Sequence, residues 1–261
     1  MKILRRCIKY VMNFFLYGDA VPKALSNRDI FIVDFPKSGI TWLGNILSNI
    51  ELNLAGSSNR VTYFNAQMHF SDVSQMRGAS VQRNPERTYL KSHSKYNPHY
   101  FQVIYLVRNP VDVMISYYNF MLDHGYKKDF DTFIRTKRYG VRAWKAHVAS
   151  WNYGRIDAQR IHFVRYEDLK ADTSSAVKEL MENIGITIGD NEISSCIELS
   201  SLIQMKKSEL LYKKHNLNYT VNFVGANNKK FGKDMVSEDT RNWILLEVKD
   251  VCEHFYQELY Y

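Results

Sequence analysis

Short apolar runs alternate along this chain with longer segments whose apolar positions recur every three or four residues. Residues 30–33 read as a short buried strand, which breaks at Pro36-Lys37-Ser38-Gly39. A helical pattern follows, carried by Trp42, Leu43, Ile46, Leu47 and Ile50. Three further strands are predicted over residues 89–93, 103–107 and 161–164. After the third of the four runs, Asn109 is placed as an N-cap, Pro110 as the first helical residue and Asp112 in the first turn. That helix continues through Val113, Met114, Tyr117, Tyr118 and Met121. Others are predicted over residues 141–153, over 174–183 with a stop at Gly185, and over 238–258. Strands separated by helices predict an α/β fold of three layers, with a mainly parallel central sheet flanked by helices. In such sheets ligands sit beyond the carboxyl ends of the strands. Lys37, His93, Arg108 and Tyr166 all fall at strand ends.

Residues 1–17 form a separate pattern. Ile3, Leu4, Cys7, Ile8, Val11, Met12, Phe14 and Phe15 share one helical face, with Lys2, Arg5, Arg6 and Lys9 on or beside the other. The run is too short to span a bilayer and shows no clear cleavage site. Two readings stand for it: a helix packed on the domain, or one lying at a membrane surface. We take residues 1–25 as this amphipathic helix and 26–261 as one domain; the chain shows no repeat, low-complexity tract or Pro/Gly-rich linker. At 261 residues, 45% hydrophobic and 14% aromatic, it can bury a large core and is not a disordered chain. The net charge of +8 favours anionic ligands without choosing among nucleotides, sulfated or phosphorylated substrates, nucleic acid and acidic membrane. Cys7, Cys196 and Cys252 are odd in number and widely spaced, which argues against a zinc ribbon or disulfide framework and for a reducing, cytoplasmic setting.

The loop at 36–42 carries the chemistry. A strand that turns through a small glycine-containing loop into a helix presents unpaired backbone N–H groups at the positive end of the helix dipole. Lys37 adds a full charge, and Ser38 and Thr41 add hydroxyls. The loop suits a phosphate or sulfate. It is not a Walker A sequence, in which lysine directly follows the second glycine; here Lys37 precedes Gly39. Taken alone, the segment is equally well read as an ordinary turn with a solvated lysine.

The set of motifs goes further. Pro36-Lys37-Ser38-Gly39-Ile40-Thr41-Trp42 resembles the loop with which sulfotransferases bind the 5′-phosphosulfate of 3′-phosphoadenosine 5′-phosphosulfate (PAPS). Arg108-Asn109-Pro110-Val111-Asp112-Val113, with Ser116 following, resembles that family's 3′-phosphate motif. Lys91-Ser92-His93 resembles its Lys-Thr-His strand, whose histidine is the catalytic base. Tyr166-Glu167-Asp168-Leu169 matches a further family segment in which the tyrosine contacts the adenine side. Leu199-Ser200-Ser201-Leu202 is similar to a weaker nucleotide-contacting stretch. The matches occur in family order, from about residue 29 to 231.

The resemblance implies a P-loop-like fold and transfer of a sulfuryl group from PAPS to a hydroxyl or amine of a small-molecule, saccharide or lipid acceptor, with no metal and no nucleic acid. It implies catalytic roles for Lys37 at the leaving oxygen, for His93 as base and for Lys91 as helper. It places Lys37, Ser38, Gly39, Ile40, Thr41, Trp42, Arg108, Ser116, Tyr166, Ser201 and Leu202 around the nucleotide. There are departures. Ile40 stands where a threonine is usual, and Leu202 where an aromatic residue often flanks adenine, which shifts stacking onto Trp42. The family's late Arg-Lys-Gly element has no clean copy; Lys230 and Gly232, within Lys229-Lys230-Phe231-Gly232-Lys233, are the nearest candidates. Acceptor-binding loops are expected near 63–71, 119–128 and 211–224. Two rival readings carry distinct expectations: a small-molecule kinase would need ATP and magnesium, and a non-catalytic basic membrane- or nucleic-acid-binding module would bind in a salt-sensitive way without responding to nucleotide. Oligomeric state stays open.

Overall fold

The structure is a computed structural model, and it describes residues 25–62, 65–75, 81, 83, 87–153, 160–216 and 230–261. The amphipathic segment 1–17 and Lys229 lie outside the described residues, as do parts of two expected acceptor loops, 63–64 and 217–224.

Strand β1 (Asp29–Asp34) leads through the 35–39 loop into α1 (Ile40–Leu54). A single-turn α2 (Ala66–His69) runs into β2 (Phe70–Asp72), and β3 (Thr88–Ser92) and β4 (Gln102–Val107) follow. Next come α3 (Pro110–Asp123), α4 (Phe130–Ile134), α5 (Val141–Tyr153) and β5 (Arg160–Arg165). The chain ends with α6 (Tyr166–Ala171), α7 (Thr173–Asn183), α8 (Asp190–Leu199), α9 (Leu202–His215) and α10 (Glu238–Cys252). The five strands form one sheet in the order β2-β3-β1-β4-β5, and every pairing is parallel.

Side chains of the central strands alternate between two cores, as period-2 geometry demands. Phe31 and Val33 of β1, with Val103, Tyr105 and Val107 of β4, face α3, α5 and α10. Ile30 and Ile32, with Ile104 and Leu106, face α1, α7 and α8. The three-layer α/β expectation therefore holds, and continuous apolar composition of the inner strands follows from burial on both faces.

Register decides which strand-end residues meet. Val33 pairs with Ser92, so Asp34 and His93 leave the sheet side by side. Val107 pairs with Arg165, so Arg108 and Tyr166 do the same. Asp72 pairs with Lys91 at the edge.

Three expectations need correction. The last helix does not run to residue 258: α10 ends at Cys252, the chain turns, and Tyr256 is driven into the core, where its hydroxyl donates to Glu167 Oε2 at 2.8 Å. Burial of one large aromatic outweighs another turn of helix. Residues 70–72 are not loop but an edge strand, because Phe70 is buried against α1 beside Gly44. Residues 199–202, read as a nucleotide-contacting stretch, join two helices, α8 and α9, and 211–215, expected in an acceptor loop, belong to the second of them, which Ser201 caps.

Candidate active site

The loop after β1 is held in an unusual shape. Lys37 has φ 78° and Gly39 φ 114°, both in the left-handed region that L side chains rarely adopt. Gly39 has a second constraint: an added Cβ would lie 2.7 Å from the Tyr166 ring. Ser38 is buried, its N–H and its hydroxyl both donating to the Phe35 carbonyl, at 3.2 and 2.8 Å. At the start of α1, Ile40 N–H donates to Asp34 Oδ2 at 3.3 Å. The Gly39 and Thr41 amides make no hydrogen bond among the described residues and remain as donors at the helix N-terminus. Ile40 in place of a threonine is buried, so its side chain belongs to the core under the helix.

Around this loop three cations converge. Arg108 Nη1 donates to the Lys37 carbonyl at 3.0 Å, and its guanidinium stacks 4.4 Å from the centre of the Tyr166 ring. Arg108 Nε is buried with no hydrogen-bond partner among the described residues, a cost of roughly 1–3 kcal/mol that a bound anion would relieve. Lys37 Nζ lies 4.7 Å from the Phe120 ring centre. Desolvation pushes its pKa down to about 8, assisted by the positive charges of Lys91 and Arg108. Lys91 Nζ is 4.0 Å from Asp72 Oδ2. A desolvated cation beside two others, an orphaned guanidinium N–H and two open amides suit a polyanionic ligand. Trp42 stands edge-on to Tyr166 with ring centres 6.0 Å apart, so the two aromatics flank the same region.

On α3, Asp112, Ser116 and Phe120 are spaced four apart and share a partly exposed face. Phe120 meets Lys37, which puts Ser116 on the face turned toward the loop. Asp112, in the first turn of α3, pairs with Lys233 at 2.7 Å. Lys230 pairs with Asp123 at 3.1 Å, and Gly232 N–H donates to Met235 S at 3.4 Å. Phe231 is fastened to α3 by two hydrogen bonds with the Asn119 side chain. Ser201 caps α9 by accepting the Gln204 N–H, and Leu202 is 54% exposed. Among the described residues no hydrogen bond or ion pair joins Ser201, Leu202 or Gly232 to the Lys37–Arg108 cluster.

His93 extends from the end of β3 beside Asp34. Its Nδ1 faces the Asp34 backbone carbonyl at 3.2 Å and Asp34 Oδ1 at 2.6 Å. Its own carbonyl accepts a hydrogen bond from Nε2 of buried His147 at 3.0 Å, and His147 Nδ1 accepts from the Tyr105 hydroxyl at 2.8 Å. Burial pushes the His147 pKa down to about 3, so the ring is neutral. Because the unfolded chain would protonate this histidine below about 6.5, its contribution to stability is complete above that pH. It is lost as pH falls toward 3, by up to ~1.4 kcal/mol per pH unit. We expect acid unfolding followed by circular dichroism to show this slope in the parent, and replacement of His147 by glutamine to flatten it.

Asp34, Phe120 and His147 were not singled out from sequence. Asp34 alone carried a signal there, as a charged residue closing an otherwise apolar strand. Glu167, beside Tyr166 in the first turn of α6, links two elements by accepting from Asn109 N–H at 3.0 Å and from the Tyr256 hydroxyl.

Comparison with known proteins places the chain in a family. The family model described as "Sulfotransferase domain" matches residues 27–261. Sulfotransferase 2A6 of Mus musculus is 25% identical over 225 residues, covering 80% of this chain and 75% of that protein. Sulfotransferase 1E1 of Bos taurus is 28% identical, covering 82% and 76%. Among solved structures, a retinol dehydratase in complex with androsterone and the inactive cofactor PAP superposes with a TM-score of 0.70 at 16% identity, covering 93% of this chain and 86% of that one; this likeness concerns the fold.

Proposed function

The chain belongs to the sulfotransferase domain family, and we propose that its strand-end cluster carries out PAPS-dependent sulfuryl transfer to a small-molecule hydroxyl or amine. The observation that carries the residue assignment is the meeting, at one end of the sheet, of Lys37, Lys91 and Arg108 with His93, which follows β3 beside Asp34. PAPS would supply a sulfuryl group on a good phosphate leaving group. Loop amides of Gly39 and Thr41 bind the anionic end, and Arg108 with Ser116 binds the 3′-phosphate. Trp42 and Tyr166 flank the base. Lys37 meets charge developing on the departing phosphate, and Lys91 assists the transferring group. His93 takes the acceptor's proton as the acceptor oxygen or nitrogen bonds to sulfur. Catalysis here is positioning plus charge stabilisation.

Lys230 and Lys233 already neutralise α3 carboxylates, so they act on the nucleotide by setting the local field rather than as unpaired cations. Among the described residues no helix is long and apolar enough to cross a membrane. We read residues 26–261 as the working domain and residues 1–17 as a candidate for peripheral membrane contact.

Thermal unfolding with added nucleotide tests this reading. Adenosine 3′,5′-bisphosphate (PAP) at a hundredfold excess over Kd is expected to add about 2.7 kcal/mol, several degrees in Tm. ATP with magnesium leaves Tm unchanged. The reverse order would indicate a kinase, and no response to either would leave only a basic binding module.

A further inference from the structure

We propose that Asp34 is the positioning residue of the base: it holds the proton of the neutral His93 ring on Nδ1 and so leaves the lone pair on Nε2, the atom that would take the acceptor's proton. The catalytic meaning of this pair rests on the reading of His93 given above.

The argument is geometric. Asp34 closes β1 and has 0% exposure, so its carboxylate is not there for solvation. Two acceptors, the Asp34 carbonyl at 3.2 Å and its Oδ1 at 2.6 Å, face the same ring nitrogen. A lone pair on Nδ1 would oppose both, whereas an N–H satisfies them. Oδ1 makes no hydrogen bond among the described residues, and the His93 ring nitrogen 2.6 Å away is the polar group that faces this buried oxygen, while the hydrogen bond itself runs to the Asp34 carbonyl. The second oxygen is committed elsewhere, accepting Ile40 N–H at the start of α1. One buried carboxylate therefore joins the base to the first turn of the helix that presents the anion-binding loop. Distance between base and loop is set by a single side chain plus the β1–β3 register, in which Val33 opposes Ser92. From the other side, the neutral His147 donates to the His93 carbonyl and fixes the backbone from which the ring projects. Among the described residues, Lys37 and Tyr105 face Asp34 electrostatically and His147 faces His93.

An asparagine at this position cannot serve both donors. Whichever way the amide is turned, its NH2 faces either Ile40 N–H or His93 Nδ1. Asp34→Asn is thus expected to disturb the tautomer. Two-bond 15N–1H correlation spectra of 15N-labelled protein, with the His93 signal assigned by its loss in His93→Gln, read this directly. In the parent at a pH where His93 is neutral, we expect the Nδ1–H form alone. In Asp34→Asn we expect that signal to be lost or shared with the Nε2–H form. A parent ring protonated on Nε2 would overturn the proposal, and that measurement needs no variant to fold. An unchanged tautomer in folded Asp34→Asn would also overturn it, since Asp34 would then be only a tie to the helix. Failure of the parent to bind PAP would instead overturn the functional reading, and with it the role of the pair, whatever the spectra show.

Discussion

Replacing His93 by alanine is expected to lower sulfuryl transfer about 10²–10⁴-fold, the range general-base catalysis contributes, while affinity for PAP changes little. The separation follows from where the ring sits. His93 hangs from β3, with its Nδ1 engaged by Asp34 and its carbonyl by His147. The groups assigned to the nucleotide come from the β1–α1 turn, from the residue after β4 and from the start of α6. Deleting the imidazole therefore removes a proton acceptor without removing an anion contact. Steady-state transfer from radiolabelled PAPS to a panel of phenol, alcohol and amine acceptors, paired with PAP titration calorimetry, measures both halves. Turnover at the parental rate would take the base assignment away from His93. A joint collapse of turnover and PAP affinity would mean that His93 shapes the loop.

Much of this arrangement was legible in the chain, for local reasons. The β1–loop–α1 unit announces itself because an apolar run, a proline, a lysine, a glycine and a helical stripe lie within a few residues of one another. Arg108 and Tyr166 were placed at strand ends by the same local logic, and parallel register then brings them together. Asp34 was not placed, because its partner His93 is 59 positions away and only the pairing of β1 with β3 makes them neighbours. The end of α10 was misjudged because the residue that stops it, Tyr256, is recruited by Glu167 at a separation of 89 residues. Helix periodicity continues through that point; the competing burial does not show in it. Likewise the pairing of Lys233 with Asp112, 121 positions earlier, is invisible to local pattern. Local patterning reveals elements and their ends, whereas pairing between ends belongs to tertiary register.

Lys37 should make nucleotide binding pH-dependent in a defined direction. In the free protein, desolvation and the neighbouring Lys91 and Arg108 hold its pKa at about 8, below the ordinary 10.5. A phosphate or sulfate beside the ammonium favours its charged form, so the pKa rises on binding. At pH well below 8 the lysine is already protonated and binding is proton-neutral at this site. Above pH 8 the free protein has lost that proton and must regain it, so affinity for PAP falls by up to about tenfold per pH unit. Calorimetry at pH 9 in two buffers of different ionisation enthalpy is expected to show uptake approaching one proton, and none at pH 6.5. Lys37→Ala removes a charge-assisted contact worth about 1.5–3 kcal/mol, a loss of roughly ten- to a hundredfold in affinity, and abolishes the uptake. Lys37→Arg keeps the charge but not the titration, because guanidinium does not deprotonate in this range; it should bind PAP with a flat pH profile. Equal proton uptake by the parent and the arginine variant would show that another group titrates, and that the ammonium does not face the bound anion.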